Sequence, residues 1–355
     1  MIGPVGDLMT TAAANVAARL LGLRDDTEGP MPQGPMLVPH TTGRRDAFTH
    51  YNVVIPHLPE PHRFLACLVF IGRTGTKMFD TDHAVAGSPL ATATLAVGTA
   101  ATAPDWFCVY NTATECDLRQ DGSHLSFGND LTITGQFPDY RIRIQRPGLA
   151  LDLTAQCSPQ ITWFARSRIY EHIGFPTRYQ GTLTWQGESQ PIEGVLSLEY
   201  ARAMGFISLL DRNIPGLLKL PADFFTYHVI DLHDDTLLML THVEGLGKVI
   251  LTSAHLKQIG GVQSRNTRNV QFEILGYRDE PQIAPDGHPT HVPRGFHWKV
   301  LDSQGRVTTE LTASTDTDVI YGVGRGWIGG YSYEGRHDGK PIAGTAYYEY
   351  ISLKK

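Results

Sequence analysis

From about residue 46 to its end, this chain is cut into short apolar or alternating runs with turn residues between them roughly every ten positions. The runs are "HYNVVIPHL", "RFLACLVFIG", "DWFCVYNTA", "LTITGQF", "DYRIRIQ", "GTLTWQG", "FFTYHVIDL", "TLLMLTHV", "KVILTSAHL", "VQFEILGY", "FHWKVLD", "DVIYGVG" and "TAYYEYISL". β-branched and aromatic residues dominate them, and "DG", "QG" and "EG" pairs bound several. Strands in such number, joined by tight turns, close into barrels or sandwiches, so the expected class is all-β. Two helical exceptions are expected. "MIGPVGDLMTTAAANVAARLLGL" puts Leu8, Val16, Ala17, Leu20 and Leu21 on one side of an amphipathic helix, and "RNIPGLLKLPADFF" offers a turn of helix. The Pro- and Gly-rich "DDTEGPMPQGPMLVPHTTG" between that helix and the first strand reads as an extended arm.

A ten-residue phrase occurs twice. "PIEGVLSLEY" (191–200) and "PIAGTAYYEY" (341–350) share P-I-x-G-x-x-x-x-E-Y at an offset of 150 residues. Each follows an aromatic strand and a Gly-bearing turn, which describes a β-hairpin. Trp185 and Tyr333 pack on the pleat, Gly187 and Gly335 take positive φ, and Pro191 and Pro341 open strands where no ladder N–H is needed. A weaker echo pairs "DWFCVY" (105–110) with "DFFTYH" (223–228). The expected organisation is a helix and arm over 1–45 and two related β-domains over 46–200 and 201–355.

Composition excludes several classes. A net charge of −6 speaks against a nucleic-acid partner, and Arg141, Arg143 and Arg146 alternate as the solvated face of a strand would. Cys67, Cys108, Cys116 and Cys157 have no C-x-x-C spacing and read as buried free thiols, although Cys108 and Cys116 lie close enough in sequence to face each other across a hairpin. No apolar run reaches the roughly 18 residues of a membrane span. The N-terminus lacks the basic segment of a secretory signal, so a cytoplasmic protein is expected. The N-terminal helix leaves peripheral contact with a membrane surface open, but Asp7, Arg24, Asp25 and Asp26 give it no polybasic face, and packing against the body is the expected use. "GRGWIG" (324–329) has the G-x-G-x-x-G form, yet an aromatic strand follows it instead of a helix, so no dinucleotide site is read there. "YHVIDLHDDT" with His242 nearby shows no metal-ligand spacing, because His228 points away from Asp231 and His233 on a strand. Neither a metal nor a cofactor is expected.

The closing "YSYEGRHDGKPIAGTAYYEYI" resembles the end of the two-domain lipocalin-like proteins grouped with carotenoid 1,2-hydratase (hydroxyneurosporene synthase), kievitone hydratase and the fungal decalin-forming Diels–Alderases. Glu334, Gly335, Gly344, Tyr347 or Tyr348, and Glu349 carry the match. "GFISLLDRNIPG" (205–216) is similar to the hydratases' D-x-N-W-G segment, with Ile214 and Pro215 in place of Trp-Gly. "DFFTYHVIDLHDDTLLMLTHVEG" (223–245) is similar to their strand–acidic turn–strand hairpin. The resemblance implies two lipocalin-like antiparallel β-barrel or sandwich domains in tandem. It also implies cofactor-independent hydration, dehydration or cyclisation of a lipophilic, isoprenoid- or polyketide-like small molecule.

Asp211 lies between the apolar runs "MGFISLL" and "IPGLLKL". At the mouth of an apolar cavity it would stay protonated, deliver a proton to an alkene and then orient water, with Asn213 fixing it or the water. The plainer alternative is an Asp–Arg turn in solvent. Tyr227, His228, Trp298, Tyr321, Trp327, Tyr333 and Tyr348 are the expected lining of the ligand site, and aromatic packing in a barrel core is the alternative for any of them. Alternation allows only one of Tyr347 and Tyr348 to face inward. Two further functions stay open beside the enzyme: a non-catalytic carrier of a hydrophobic molecule, and an interaction module without a deep cavity.

Overall fold

The computed structural model describes residues 32–41, 45–103, 106–205 and 210–354. The expected N-terminal helix lies outside them. The first half contributes β1 (Asp46–Ile55), β2 (Leu65–Gly72), β3 (Thr92–Thr99), β4 (Phe107–Asn111), β5 (Cys116–Leu118), β6 (His124–Phe127), β7 (Leu131–Gln136), β8 (Asp139–Arg146), β9 (Leu149–Cys157), β10 (Thr162–Arg166), β11 (Tyr170–Trp185) and β12 (Glu188–Met204). The second contributes β13 (Ala222–Asp231), β14 (Thr236–Gly245), β15 (Lys248–Gln258), β16 (Gln263–Asn266), β17 (Val270–Ile274), β18 (Gln282–Ile283), β19 (Pro289–Thr290), β20 (Gly295–Leu301), β21 (Val307–Thr315), β22 (Ile320–Val323), β23 (Gly326–His337) and β24 (Lys340–Ser352). All thirteen runs singled out above lie on strands. The helix expected near residue 214 is a single 3-10 turn, Gly216–Leu218, whose Leu217 and Leu218 face solvent and so gain nothing from a longer helix.

All of these strands but β18 and β19, which pair only with each other, form two antiparallel sheets in tandem, each curled nearly shut like a barrel. The first runs β4-β3-β2-β1-β12-β11-β9-β8-β7-β6-β5, with β10 added on β11. The second runs β16-β15-β14-β13-β24-β23-β21-β20-β17, with β22 added on β23. In each sheet the first strand pairs with the last, β1 with β12 and β13 with β24. The echo between "DWFCVY" and "DFFTYH" is therefore no structural equivalence: the first forms the edge strand β4, the second the opening strand β13, whose counterpart is β1.

The repeated phrase is explained residue by residue. Gly194 and Gly344 lie directly across the ladder from Tyr179 and Tyr333, and each tyrosine ring covers the bare glycine at 3.3–3.4 Å from where a Cβ would stand. Ile192 packs into the first core and Ile342 against the second. Tyr200 and Tyr350 point into their barrels, and Glu199 and Glu349 point out of them. Gly187 does take positive φ (90°), beside Gln186 at 50°. Gly335 does not. The second hairpin turns at Asp338 and Gly339 (46° and 76°), and Gly335 is required because a Cβ there would lie 2.1 Å from the Glu310 carbonyl oxygen. Gly181 meets the Asp152 carbonyl oxygen at the same distance in the first sheet.

Three large apolar cores result among the described residues. One fills each barrel, and a third lies between the sheets, where Val54, Phe64, Leu68 and Phe70 meet Tyr227, Val229, Met239 and Tyr347. Tyr347 and Tyr348 alternate as expected, yet both are fully buried, because the outer face of β24 is covered by the other sheet. The arm at 36–40 closes one end of the first barrel: Leu37 is buried, and the hydroxyls of Tyr51, Tyr200 and Thr49 donate to the carbonyls of Leu37 (2.9 Å), Val38 (3.1 Å) and Pro39 (2.8 Å). No helix among the described residues is long and apolar enough to cross a membrane. All four cysteines are free.

Candidate functional site

The interior of the second barrel is aromatic, and His228 stands at its centre. Alternation on β13 turns Phe224, His228 and Ile230 into the barrel and Phe225, Tyr227 and Val229 to the interface. The His228 ring lies 4.7 Å from Phe296, 5.2 Å from Trp298, 5.3 Å from Tyr331 and 6.0 Å from Tyr348, centroid to centroid. Phe272 lies tilted against Trp298, with 4.5 Å between ring centroids. Gly329, across the ladder from Tyr348, makes room for that ring, since a Cβ would come within 2.8 Å of it.

Four polar atoms in this box have no hydrogen-bonding partner in the protein: Nδ1 of His228, Nε1 of Trp298 and the hydroxyls of Tyr331 and Tyr348. Buried polar groups are normally paired, so four orphans in one cluster point to another molecule, water or ligand, that completes them. The local hydrogen bonds settle the tautomer of His228. Thr226 spends its hydroxyl proton on the Glu349 carbonyl (2.7 Å), so the 3.0 Å contact between its oxygen and Nε2 of His228 needs the proton on Nε2. Nδ1 is then a bare lone pair. Burial pushes the imidazole down to about 3, which keeps it neutral at pH 7, and pushes the Tyr331 and Tyr348 hydroxyls up, which keeps them donors. The box thus presents one acceptor and three donors within an apolar wall.

Of the expected lining residues, the fold brings His228, Trp298 and Tyr348 together here. Tyr333 lies beside Tyr331 (6.3 Å), with its hydroxyl 3.4 Å from the Asp231 carbonyl. Tyr321 and Trp327 pair at 5.3 Å elsewhere in the same core, where Tyr321 meets Phe107 and its hydroxyl lies 3.4 Å from Nε2 of His83. Tyr227 faces the other way, into the interface. Asp211 is exposed on the connection between the sheets, and its carboxylate accepts the Leu90 N–H at 2.9 Å. Asn213 accepts from Arg73 (3.1 Å) and donates to the Asp82 carbonyl (3.2 Å), next to the buried Lys219, which pairs with Asp80 and Asp82. Phe272, Phe296 and Tyr331 complete the box without being among the expected lining residues; the last is legible two residues before Tyr333 on the same face of its strand.

The interface holds a second polar centre, built by the two repeated glutamates. Glu199 accepts from Ser197 (2.7 Å) and from Tyr227 (2.5 Å) of the other sheet. Glu349 accepts from Tyr347 (2.7 Å) and from Asn52 (2.9 Å) of the other sheet. The arrangement is reciprocal: Asn52 is the ladder partner of Glu199 yet serves Glu349, and Tyr227 is the ladder partner of Glu349 yet serves Glu199. Burial raises Glu349 to about 8, with Glu199 adding to the effect. Burial acts on Glu199 in the same sense, but His172, Tyr227 and Ser197 outweigh it and hold that carboxyl low. Glu199 also groups with His50 and His172, the one set of three potential metal-ligating side chains among the described residues.

A cavity of about 430 Å³ opens at the mouth of the first barrel, between Met36, Val38 and His40 of the arm and Trp163, Ile173 and Tyr200 of the sheet. His40 joins Tyr200 (2.7 Å) to Asp46 (3.4 Å) there.

This frame has solved counterparts. A putative AttH from Nitrosomonas europaea is similar over 91% of this chain and 97% of its own, with a TM-score of 0.60 and 14% identity. Kievitone hydratase from Nectria haematococca is similar over 94% and 98%, with a TM-score of 0.54 and 11% identity. CghA, crystallised with Sch210972, is similar over 94% and 97%, with a TM-score of 0.51 and 10% identity. The resemblance read from the closing hairpin therefore holds for the fold; identities this low carry architecture and not reaction. No curated protein sequence matches the chain. Residues 68–355 match the model of a family of unknown function, DUF6670, and the chain belongs to that family.

Proposed function

We propose that this protein binds a lipophilic small molecule bearing hydroxyl or carbonyl groups inside its second barrel and acts on it by proton transfer, as a hydratase, dehydratase or cyclase that needs no cofactor. The observation that carries the proposal is the set of four unpartnered polar atoms in one aromatic box. Nδ1 of His228 takes a proton from water as the water oxygen bonds to an alkene carbon conjugated to a carbonyl; Tyr331, Tyr348 and Trp298 donate to that carbonyl oxygen as it gains charge; and the π-faces of Phe272 and Phe296 favour the imidazolium until it returns the proton to the neighbouring carbon, with dehydration the same steps in reverse. An isoprenoid- or polyketide-like skeleton suits the apolar wall. We likewise assign residues 1–45 to an N-terminal segment, 46–200 and 201–355 to two β-domains, and the protein to the cytoplasm, in keeping with four free cysteines.

Native mass spectrometry of the full chain purified from its own host tests the site. A co-purified small molecule should be lost in both His228→Phe and Tyr348→Phe, and its retention in both sinks the assignment. Turnover of the identified molecule then separates enzyme from carrier: a ligand returned chemically unchanged makes the protein a carrier. Asp211→Asn discriminates further, because turnover that survives it leaves the proton transfer with His228, and turnover abolished by it returns that role to Asp211 and Asn213.

A further inference from the structure

We propose that His50, His172 and Glu199 bind one divalent transition-metal ion of the zinc class on the outer face of the first sheet, a site separate from the second-barrel box. His50 on β1 and His172 on β11 are both ladder partners of Ala201 on β12, which runs between them. Strands about 4.8 Å apart put their Cα atoms nearly 10 Å from each other. The methyl of Ala201 leaves the space above it clear, and the two imidazoles lean together to a centroid distance of 5.6 Å. Glu199 lies two residues along β12 on the same face, with Oε2 3.7 Å from Nε2 of His172. One ligand-type atom from each of the three side chains lies within 4.8 Å of the other two. Tetrahedral ligands about 2.1 Å from an ion stand somewhat closer than that, a gap that small rotations of the three side chains close.

Each side chain keeps an atom for the centre and has its other atom anchored. Nδ1 of His50 lies 3.0 Å from the Val69 carbonyl, Nδ1 of His172 lies 3.1 Å from the Tyr170 hydroxyl, and Oε1 of Glu199 accepts from Ser197 and Tyr227. Nε2 of His172 is buried with no hydrogen-bonding partner. Ligands oriented through their second atoms are the usual construction of a metal centre. Phe70, 4.9 Å from His50, and Phe164, 4.7 Å from His172, wall it with apolar surface. Two imidazoles and one carboxylate suit zinc-class ions over magnesium or calcium, which require oxygen, and three protein ligands leave a fourth position for water.

The related half of the chain shows that the fold does not demand this cluster. Glu349 matches Glu199, but the positions two residues back from their ladder partners are Phe225 where the first sheet has His50 and Gly326 where it has His172. The histidines belong to the first half alone.

The test uses the full chain stripped with a chelator and titrated with Zn²⁺, with Mg²⁺ as the negative control and Co²⁺ as the spectroscopic probe. One Zn²⁺ per chain should bind and raise the melting temperature, and Co²⁺ should give the visible d–d absorption of a low-coordinate N/O site. His50→Phe and His172→Ala should each weaken Zn²⁺ binding by about 100-fold or more, at least the upper end of what losing a hydrogen-bond partner of a ligand costs. His228→Phe should bind as the parent does. Ala201→Leu, which keeps all three ligands and fills the space between them, should also lose the ion, and it decides the matter if a histidine variant does not fold. Sub-stoichiometric binding, or binding that survives these substitutions, overturns the site and leaves a plain His172–Glu199 ion pair.

Discussion

Protonating His228 should be one of the main costs that acid imposes on this fold. The imidazole is wholly buried among aromatic rings, and burial lowers it from 6.5 to about 3. An unfolded chain takes up the proton near pH 6.5, and the native chain does not until about pH 3, so the unfolded state binds more protons between those limits. The contribution to stability is complete above pH 6.5 and falls as the pH drops toward 3. From the two values the loss is about 2 kcal/mol at pH 5 and about 3 kcal/mol at pH 4, approaching about 5 kcal/mol at the acid limit. His228→Phe removes the titration and keeps an aromatic ring in the box, at a cost of about 1 kcal/mol for the lost hydrogen bond to Thr226. Denaturant unfolding of parent and variant at a series of pH values is the assay. The variant should be slightly the weaker at pH 7 and the stronger of the two by about pH 4, its stability falling by nearly one proton's slope less across the interval. Burial also lowers His50 and His255, and those contributions cancel in the difference. Equal pH slopes in the two proteins would refute the argument.

Glu349 should act in the opposite sense. Its carboxyl is raised to about 8, so its contribution is complete below about pH 4.5 and is lost as the pH rises through 8; Glu349→Gln should flatten the decline on the alkaline side, as read from denaturation midpoints at pH 6 and pH 9. Gly335→Ala and Gly181→Ala each drive a Cβ to 2.1 Å from a ladder carbonyl oxygen and should cost more than about 2 kcal/mol, whereas Gly187→Ala in the open hairpin turn should cost about 1 kcal/mol from its positive φ alone; midpoints of urea unfolding check all three. Tyr227→Phe takes a hydrogen bond from the buried carboxyl of Glu199 and should cost about 1.5–3 kcal/mol, and an unchanged unfolding midpoint would sink the reciprocal arrangement of the two sheets.

Much of the architecture was legible before any coordinate, because strand formation rests on signals a few residues long. β-branched and aromatic runs bounded by Gly, Asp and Asn turns mark strands wherever they stand, and all thirteen such runs are strands. Three of the longer strands that escaped notice, β3 ("TATLAVGT"), β9 ("LALDLTAQC") and β21 ("VTTELTAST"), are rich in alanine and threonine and poor in aromatics; their neighbours in the sheet hold them, not their own propensity. The repeat pointed to two related halves, and the closing hairpin to the fold.

The sequence by itself therefore determined the class of element, the two hairpins and the alternation that sends Tyr348 inward and Tyr347 outward. Only the tertiary structure decided what those faces meet. His228, Trp298, Tyr331 and Tyr348 come from β13, β20, β23 and β24, and no spacing along the chain encodes that they share a box. Glu199 and Glu349 read as architecture, two copies of one motif letter. They became a polar centre because the outer faces of the two sheets close on each other and exclude the water that would otherwise serve both carboxyls. Asp211 carried the sequence signal for chemistry and stands in solvent, because apolar flanks do not fix on which side of the chain a side chain leaves. Local periodicity sets the direction of a side chain within its own strand; its neighbours are set by the closure of each sheet and by the packing of one sheet on the other, which brings together residues 297 positions apart, a distance over which a single sequence records no register.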